Sequence, residues 1–170
     1  MPRNVALKKN GVALNPTRNS LSASIRAKVV SLLNARLAEA IDLGLQAKQA
    51  HWNVKGSNFT GLHALFDQVA AAAQGYADEL AERAVQLGGI AEGTVQMVAS
   101  NTTLDAYPVD AQKSTVHVDA LSSALGTFGK HVREAIRTAD DLGDDDTADL
   151  FTEISRDVDK WTWMVEAHNQ

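Results

Sequence analysis

HWNVKGSNFTGLHALFDQVAAAAQGYADELAER, residues 51–83, is the stretch around which the rest of the chain is organised. From residue 59 onward Leu62, Phe66, Val69, Ala73, Tyr76, Leu80, Ala84 and Leu87 recur at steps of three and four, the period of a helix with one apolar face. At about 100° per residue these side chains form one stripe. His63, Asp67, Asp78 and Glu82 form a second stripe, roughly 150° round the helix from the first. One face is expected in a core, and the opposite face carries metal-type side chains. A solvated face would carry polar residues in the same place, and periodicity alone leaves both readings open.

The second stripe divides in two. His63 and Asp67 are one turn apart, as are Asp78 and Glu82, but Asp67 and Asp78 are eleven residues apart, about 16 Å of helix rise. No single ion spans that distance. Both His63/Glu82 and Asp67/Asp78 are placed symmetrically about position 72.5. Two copies of this helix crossing antiparallel at that point would set His63 opposite Glu82 and Asp67 opposite Asp78. The residues at the midpoint, Ala70 to Ala73, Gln74 and Gly75, are mostly small and allow a close approach. A two-fold contact is isologous, so each dimer would build the composite site twice.

The chain has 170 residues, enough for one domain with a substantial core. It is 45% apolar but only 5% aromatic, and its alanine-rich apolar share suits packed helices. Without cysteine it has neither disulfides nor thiolate metal ligands, which fits a reducing cytoplasm. No apolar run reaches membrane-span length, and the N-terminus lacks the apolar segment of a secretory signal. The net charge of −5 is unevenly spread. Residues 1–20 hold Arg3, Lys8, Lys9 and Arg18 and no acid, giving +4, which leaves −9 on the other 150 residues.

Residues 1–20, with Pro2, Gly11 and Pro16, show no sustained period and read as a flexible basic arm. Its four cations would engage nucleic-acid phosphates; a solvated tail or a targeting peptide is the alternative. Residues 21–170 are expected to form the helical domain. Its first long helix covers about 21–50, with Leu21, Ile25, Val29, Leu32, Leu33, Leu37, Ile41 and Leu45 inward. The second, about 59–87, stops at Gly88-Gly89. Residues 88–109 make a long connection in which GTVQMVASN could form a short helix, as a bundle with a crossover requires. The third long helix spans about 110–141, with Val116, Leu121, Leu125, Phe128, Val132 and Ile136 inward. Its His117 and His131 read as surface or satisfied core histidines. ADDLGDDDTAD, residues 139–149, is an acidic corner. Helix capping accounts for one or two of its aspartates, and the surplus would attract cations, as in a pore lined by symmetry-related copies. The fourth helix, about 147–167, carries Trp161, Trp163 and Met164 as packing anchors.

Two imidazoles and three carboxylates suit Fe(II), Mn(II) or Zn(II), and the excess of acids favours iron taken up as Fe(II) and held as Fe(III). Glu-x-x-His, the usual signature of a di-iron site inside one bundle, does not occur; Glu166-Ala167-His168 has the wrong spacing. A site at a dimer interface remains.

KQAHWNVKG (48–56), Phe59, Leu62-His63, Phe66-Asp67, Asp78 and AERAVQLGG (81–89) closely resemble the Dps family of mini-ferritins. The resemblance continues through TLDAYPVD (103–110) and DDDTADLFTEISRDVDKWTW (144–163), and it covers nearly everything from residue 30 onward. It implies an all-α, ferritin-like four-helix bundle with a short helix in the crossover, assembled as a hollow homododecamer. It implies a ferroxidase site of His51, His63 and Asp67 from one subunit with Asp78 and Glu82 from its two-fold mate, all present here. Up to two irons per subunit would be oxidised there by hydrogen peroxide, and ferric oxide stored in the cavity, which protects DNA. Trp52 resembles the family tryptophan assigned to stray radicals, with simple packing as the alternative, and Lys48, one turn before His51, would act behind the ligands. Asp145, Asp146 and Asp149 correspond to the three-fold pore for incoming iron. Many relatives bind DNA through a lysine-rich arm; here Arg3 and Arg18 share the charge with Lys8 and Lys9. The expected location is the cytoplasm, on the nucleoid if DNA is bound. The competing expectation is a structural nucleoid cage whose site is vestigial or holds zinc.

Overall fold

The computed structural model describes residues 12–170; Arg3, Lys8 and Lys9 of the expected arm lie outside the described residues. Five helices follow in order: α1 (Ala23–Asn53), α2 (Phe59–Gln86), α3 (Val95–Asn101), α4 (Ser114–Asp141) and α5 (Asp145–Glu166), with no strand among the described residues. α1 packs along α2 and α4 along α5, and the two pairs meet through α1 with α4 and α2 with α5. The short α3 lies in the crossover and rests on α1. This is the four-helix bundle with a short crossover helix expected from the periodicity. No helix among the described residues is long and apolar enough to cross a membrane.

Local chemistry sets the helix ends. The Ser22 hydroxyl accepts from the Ile25 amide at 3.3 Å, satisfying one of the donors that a helix start leaves unpaired. α2 stops where Gly88 turns to φ +86°, with the Gly88 amide on Val85 O and the Gly89 amide on Ala84 O. Glycine is required here for space as well as for φ. A Cβ at Gly88 would lie 2.6 Å from Asn15 O, and one at Gly89 would lie 2.5 Å from a Val30 methyl. Residues 12–20, the described part of the expected arm, run against this turn: the Asn15 amide donates to Gly88 O at 2.7 Å, and Leu14 packs on the core. Arg18 is exposed.

The core is continuous through the bundle. All eight positions of the α2 apolar stripe, Leu62 through Leu87, are buried, each large side chain contributing about 1.5–3 kcal/mol by leaving water. Phe66, Phe128, Phe151, Leu33 and Leu121 are among the fully buried side chains. Leu45 (58%), Val116 (37%) and Trp163 (67%) are exposed rather than inward. Each stands two residues, about 200° of helix, from a buried residue: Leu43 and Ala47, Val118, and Val165. α4 starts at Ser114 rather than near 110, because residues 108–111 form a turn closed by the Ala111 amide on Pro108 O. α5 starts at Asp145, slightly before the expected 147.

Two polar networks pin the bundle. Glu39 of α1 is fully buried and receives Arg36 Nη2 at 2.9 Å, Thr103 Oγ1 at 2.6 Å and His131 Nδ1 at 2.9 Å on Oε1, with Arg36 Nε 2.8 Å from Oε2. α1, the crossover and α4 are joined at one carboxylate. At the other end, Asp144 caps α5 through the Thr147 amide (3.2 Å). Arg83 reaches over from α2, with Nη2 2.7 Å from Asp144 Oδ1 and Nε 2.9 Å from Thr147 Oγ1.

Candidate metal centre

His51 lies in the last turn of α1 and His63 in the second turn of α2, on either side of the turn 54–58. Their rings stack with centroids 3.7 Å apart and planes at 23°. Each Nδ1 lies on the other residue's backbone carbonyl, His51 Nδ1 to His63 O at 2.7 Å and His63 Nδ1 to His51 O at 2.8 Å. A carbonyl only accepts, so both Nδ1 atoms carry hydrogen and the neutral rings leave their Nε2 lone pairs available. The His51 carbonyl belongs to the last turn of α1, where no amide further along the helix can reach it. The histidine pair therefore closes the helical hairpin and fixes the tautomer that a metal ligand needs.

Asp67, one turn beyond His63, is more than half exposed, and Lys48 Nζ sits 2.6 Å from its Oδ1. The Lys48 hydrogen bond holds the Asp67 carboxyl below the usual range; slight burial opposes this, and the charges of Lys48, His51 and His63 add to it. Lys48 also stands 5.7 Å from the centroid of the Trp52 ring. Trp52 is 65% exposed, so it is not a packing residue within the chain.

Asp78 and Glu82 lie further along α2, exposed and with no side-chain hydrogen bond or ion pair among the described residues. Within one chain the candidates do not converge: among the described residues no three His, Asp or Glu side chains are grouped so as to hold an ion. Between Asp67 and Asp78 the face shared by α1 and α2 is a shallow groove. One part, about 360 Å³, is lined by Ala40, Gly44, Leu45, Ala70 and Ala71 with Asp67 at its edge. The adjoining part, about 600 Å³, includes Ile41, Gln74, Gly75 and Ala81 with Asp78. The exposed Leu45 belongs to this groove.

At the acidic corner, capping uses Asp144 alone, which is buried and bonded to Arg83. Asp145, Asp146 and Asp149 are exposed, Asp146 standing 3.7 Å from Arg83. His117 Nδ1 pairs with the Tyr107 hydroxyl while its buried Nε2 has no partner among the described residues, and the partly buried His131 bonds through Nδ1 to Glu39. Sequence reasoning missed Glu39 as the partner of His131, and it missed Asp157, which accepts from Tyr76 and Trp161. The local signals were Arg36, one turn before Glu39, and Trp161, one turn after Asp157. Thr103, His131 and Tyr76 are far away in the chain from the carboxylates they meet.

A family model described as the ferritin-like domain matches residues 30–170. The "DNA protection during starvation protein" of Agrobacterium fabrum is 46% identical over 154 residues, covering 91% of this chain and 95% of that protein. The protein of the same name from Mycolicibacterium smegmatis is 34% identical over 148 residues, covering 87% and 80%. Among solved structures, the tetragonal form of Mycobacterium smegmatis Dps superposes with a TM-score of 0.86 at 34% identity, covering 91% of this chain and 94% of that one. An archaeal Dps homologue from Halobacterium salinarum gives a TM-score of 0.88 at 27% identity, covering 99% and 93%.

Proposed function

This chain belongs to the ferritin-like family of DNA protection during starvation (Dps) proteins, and on that premise we propose that it is a ferroxidase that oxidises Fe(II) with hydrogen peroxide and stores the ferric product. The carrying observation is the reciprocal histidine pair, which presents two Nε2 lone pairs beside the ionised Asp67. Neutral imidazoles and a carboxylate suit Fe(II), and further carboxylates would hold the Fe(III) that follows. Asp78 and Glu82 of the partner subunit supply these if α2 crosses its copy at position 72.5. The groove of small residues between Asp67 and Asp78 supports that placement. Iron is substrate and cargo in this scheme, up to two ions per subunit.

The electron count favours a paired site. Two Fe(II) each give one electron, and one peroxide with two protons becomes two waters, so no hydroxyl radical is released. Lys48 pairs with the Asp67 carboxylate until iron replaces the ammonium as its partner. Trp52, exposed one residue from His51, is placed to take stray radicals. Asp145, Asp146 and Asp149 line the inward path in a twelve-subunit cage. Arg18 with Arg3, Lys8 and Lys9 would bind DNA phosphates, each copy weakly and twelve copies by avidity. We place the protein in the cytoplasm, and on the nucleoid when it holds DNA.

The test is Fe(II) oxidation by peroxide in Asp78→Ala with Glu82→Ala. Neither side chain has a partner among the described residues, so the fold is expected to survive while oxidation slows severely and the soluble ferric core is lost. Unchanged oxidation would remove Asp78 and Glu82 from the site. The Lys48–Asp67 ion pair is the one feature that favours a vestigial or zinc-holding site on a structural nucleoid cage. Anaerobic titration separates the two: the first reading requires Fe(II) to bind and then be oxidised by peroxide, the second leaves Fe(II) unbound or bound without oxidation.

A further inference from the structure

On the side of α2 away from the candidate metal face, two oxidisable rings share one carboxylate. The Tyr76 hydroxyl donates to Asp157 Oδ2, and the Trp161 indole Nε1–H donates to the same oxygen at 3.1 Å. Tyr76 is buried, 7% exposed, with its ring centroid 6.3 Å from that of Phe128. Lys160 Nζ stands 3.6 Å from Asp157 Oδ1, and Glu79, Glu153 and Arg156 line the adjoining cavity of about 380 Å³. A buried tyrosine needs some acceptor for its hydroxyl, and a backbone carbonyl would serve. An ionised carboxylate is also a base, and here it holds a second redox-active ring.

We propose that Tyr76, Asp157 and Trp161 form a proton-coupled redox site that accepts an oxidising equivalent and returns it to Fe(II). The triad rests on geometry alone; its natural supply of oxidant rests on Fe(II) that escapes the paired chemistry proposed above. The oxidant is of the hydroxyl-radical class, formed when Fe(II) meets peroxide one electron at a time. It takes one electron from the protein and becomes hydroxide. The indole radical cation oxidises a phenol, so a hole arriving on the half-buried Trp161, which keeps its Nε1–H, ends on Tyr76. As the electron leaves Tyr76, its Oη–H bond breaks and the proton passes to Asp157 Oδ2. A neutral tyrosyl radical then stands beside a neutral carboxylic acid. Fe(II) returns one electron, becoming Fe(III), and the proton moves back to Tyr76. Tyr76 is two residues from Asp78 on α2, so one helix, about 10 Å thick, separates this site from the metal face.

The test uses the full-length, iron-free protein with azide radical from pulse radiolysis, an oxidant that requires no metal. Tryptophanyl absorbance is expected to give way to tyrosyl absorbance, more slowly in deuterated water. The chain has two tyrosines, and the other, Tyr107, bonds to His117. Tyr76→Phe is expected to abolish the tyrosyl signal and Tyr107→Phe to keep it. Asp157→Asn retains both rings but removes the base, and is expected to lose the transfer and its isotope effect with helicity unchanged. If Tyr76→Phe does not assemble, Asp157→Asn and Trp161→Phe carry the test, the latter losing the fast tryptophanyl-to-tyrosyl phase. A tyrosyl signal that follows Tyr107, or transfer unchanged in Asp157→Asn, overturns the proposal. Intact transfer in a protein that fails to oxidise Fe(II) overturns the ferroxidase function alone.

Discussion

Replacing Gly75 with leucine separates the fold of one chain from the proposed pairing of two. Gly75 is exposed on α2 and a Cβ there meets nothing within 4 Å. Glycine to leucine inside a helix gains about 0.7 kcal/mol of helix propensity. The single chain is therefore expected to gain stability, about 2 °C in Tm for a protein of this size. A two-fold axis at position 72.5 would set residue 75 against the partner's Ala70, with the groove closed between the copies. Forcing a leucine into a packed contact costs about 1–3 kcal/mol, and the symmetry inserts it twice. The sum, roughly 2–6 kcal/mol per dimer, weakens association about 30-fold to 20,000-fold. Circular dichroism should show a helical chain at least as stable as before, while native mass spectrometry shows subunits and peroxide-driven Fe(II) oxidation falls. The opposite signs matter, because an ordinary destabilising substitution lowers both. An intact assembly with full oxidation in Gly75→Leu would refute the placement of the axis, and with it the composite site.

Glu39→Ala leaves Arg36 and His131 without the carboxylate they share, and is expected to cost about 3–5 kcal/mol, read as a lowered urea midpoint. His117 is buried, and burial followed by the charge of Lys55 lowers its pKa from 6.5. Between the folded and unfolded pKa values the unfolded chain binds the extra proton, so stability falls as pH drops below 6.5; denaturant titrations across that range should lose part of the slope in His117→Gln. Removing residues 1–18 is expected to abolish a DNA gel shift that already weakens with salt, and to leave iron oxidation intact. A salt-insensitive shift, or one that survives the truncation, would place DNA binding elsewhere.

Periodicity located α2 well because its apolar and polar residues are cleanly segregated, and all eight stripe positions are buried. α1 was less legible. It buries Glu39 and Gln46 and exposes Leu45 and Trp52, an inversion of hydropathy at four places. Glu39 tolerates burial through Thr103 and His131, partners more than sixty residues away in the chain. Pattern along one helix cannot reveal them. Leu45 is exposed because the face between α1 and α2 is uncovered in one chain. The candidate ligands were legible as residue types at one-turn spacing, but the imidazole stacking and the Lys48–Asp67 pair were not. Both depend on how the 54–58 turn brings the end of α1 against the start of α2.

That turn has a consequence for how other chains of this kind should be compared. The two histidines latch the hairpin through their Nδ1 atoms, so they repay selection even in a lineage that has abandoned iron. A histidine variant that loses oxidation would therefore confound a vanished donor with a slackened fold. Asp78 and Glu82 make no side-chain hydrogen bond or ion pair among the described residues. On the proposed function, a descendant released from the chemistry would be free to discard them first.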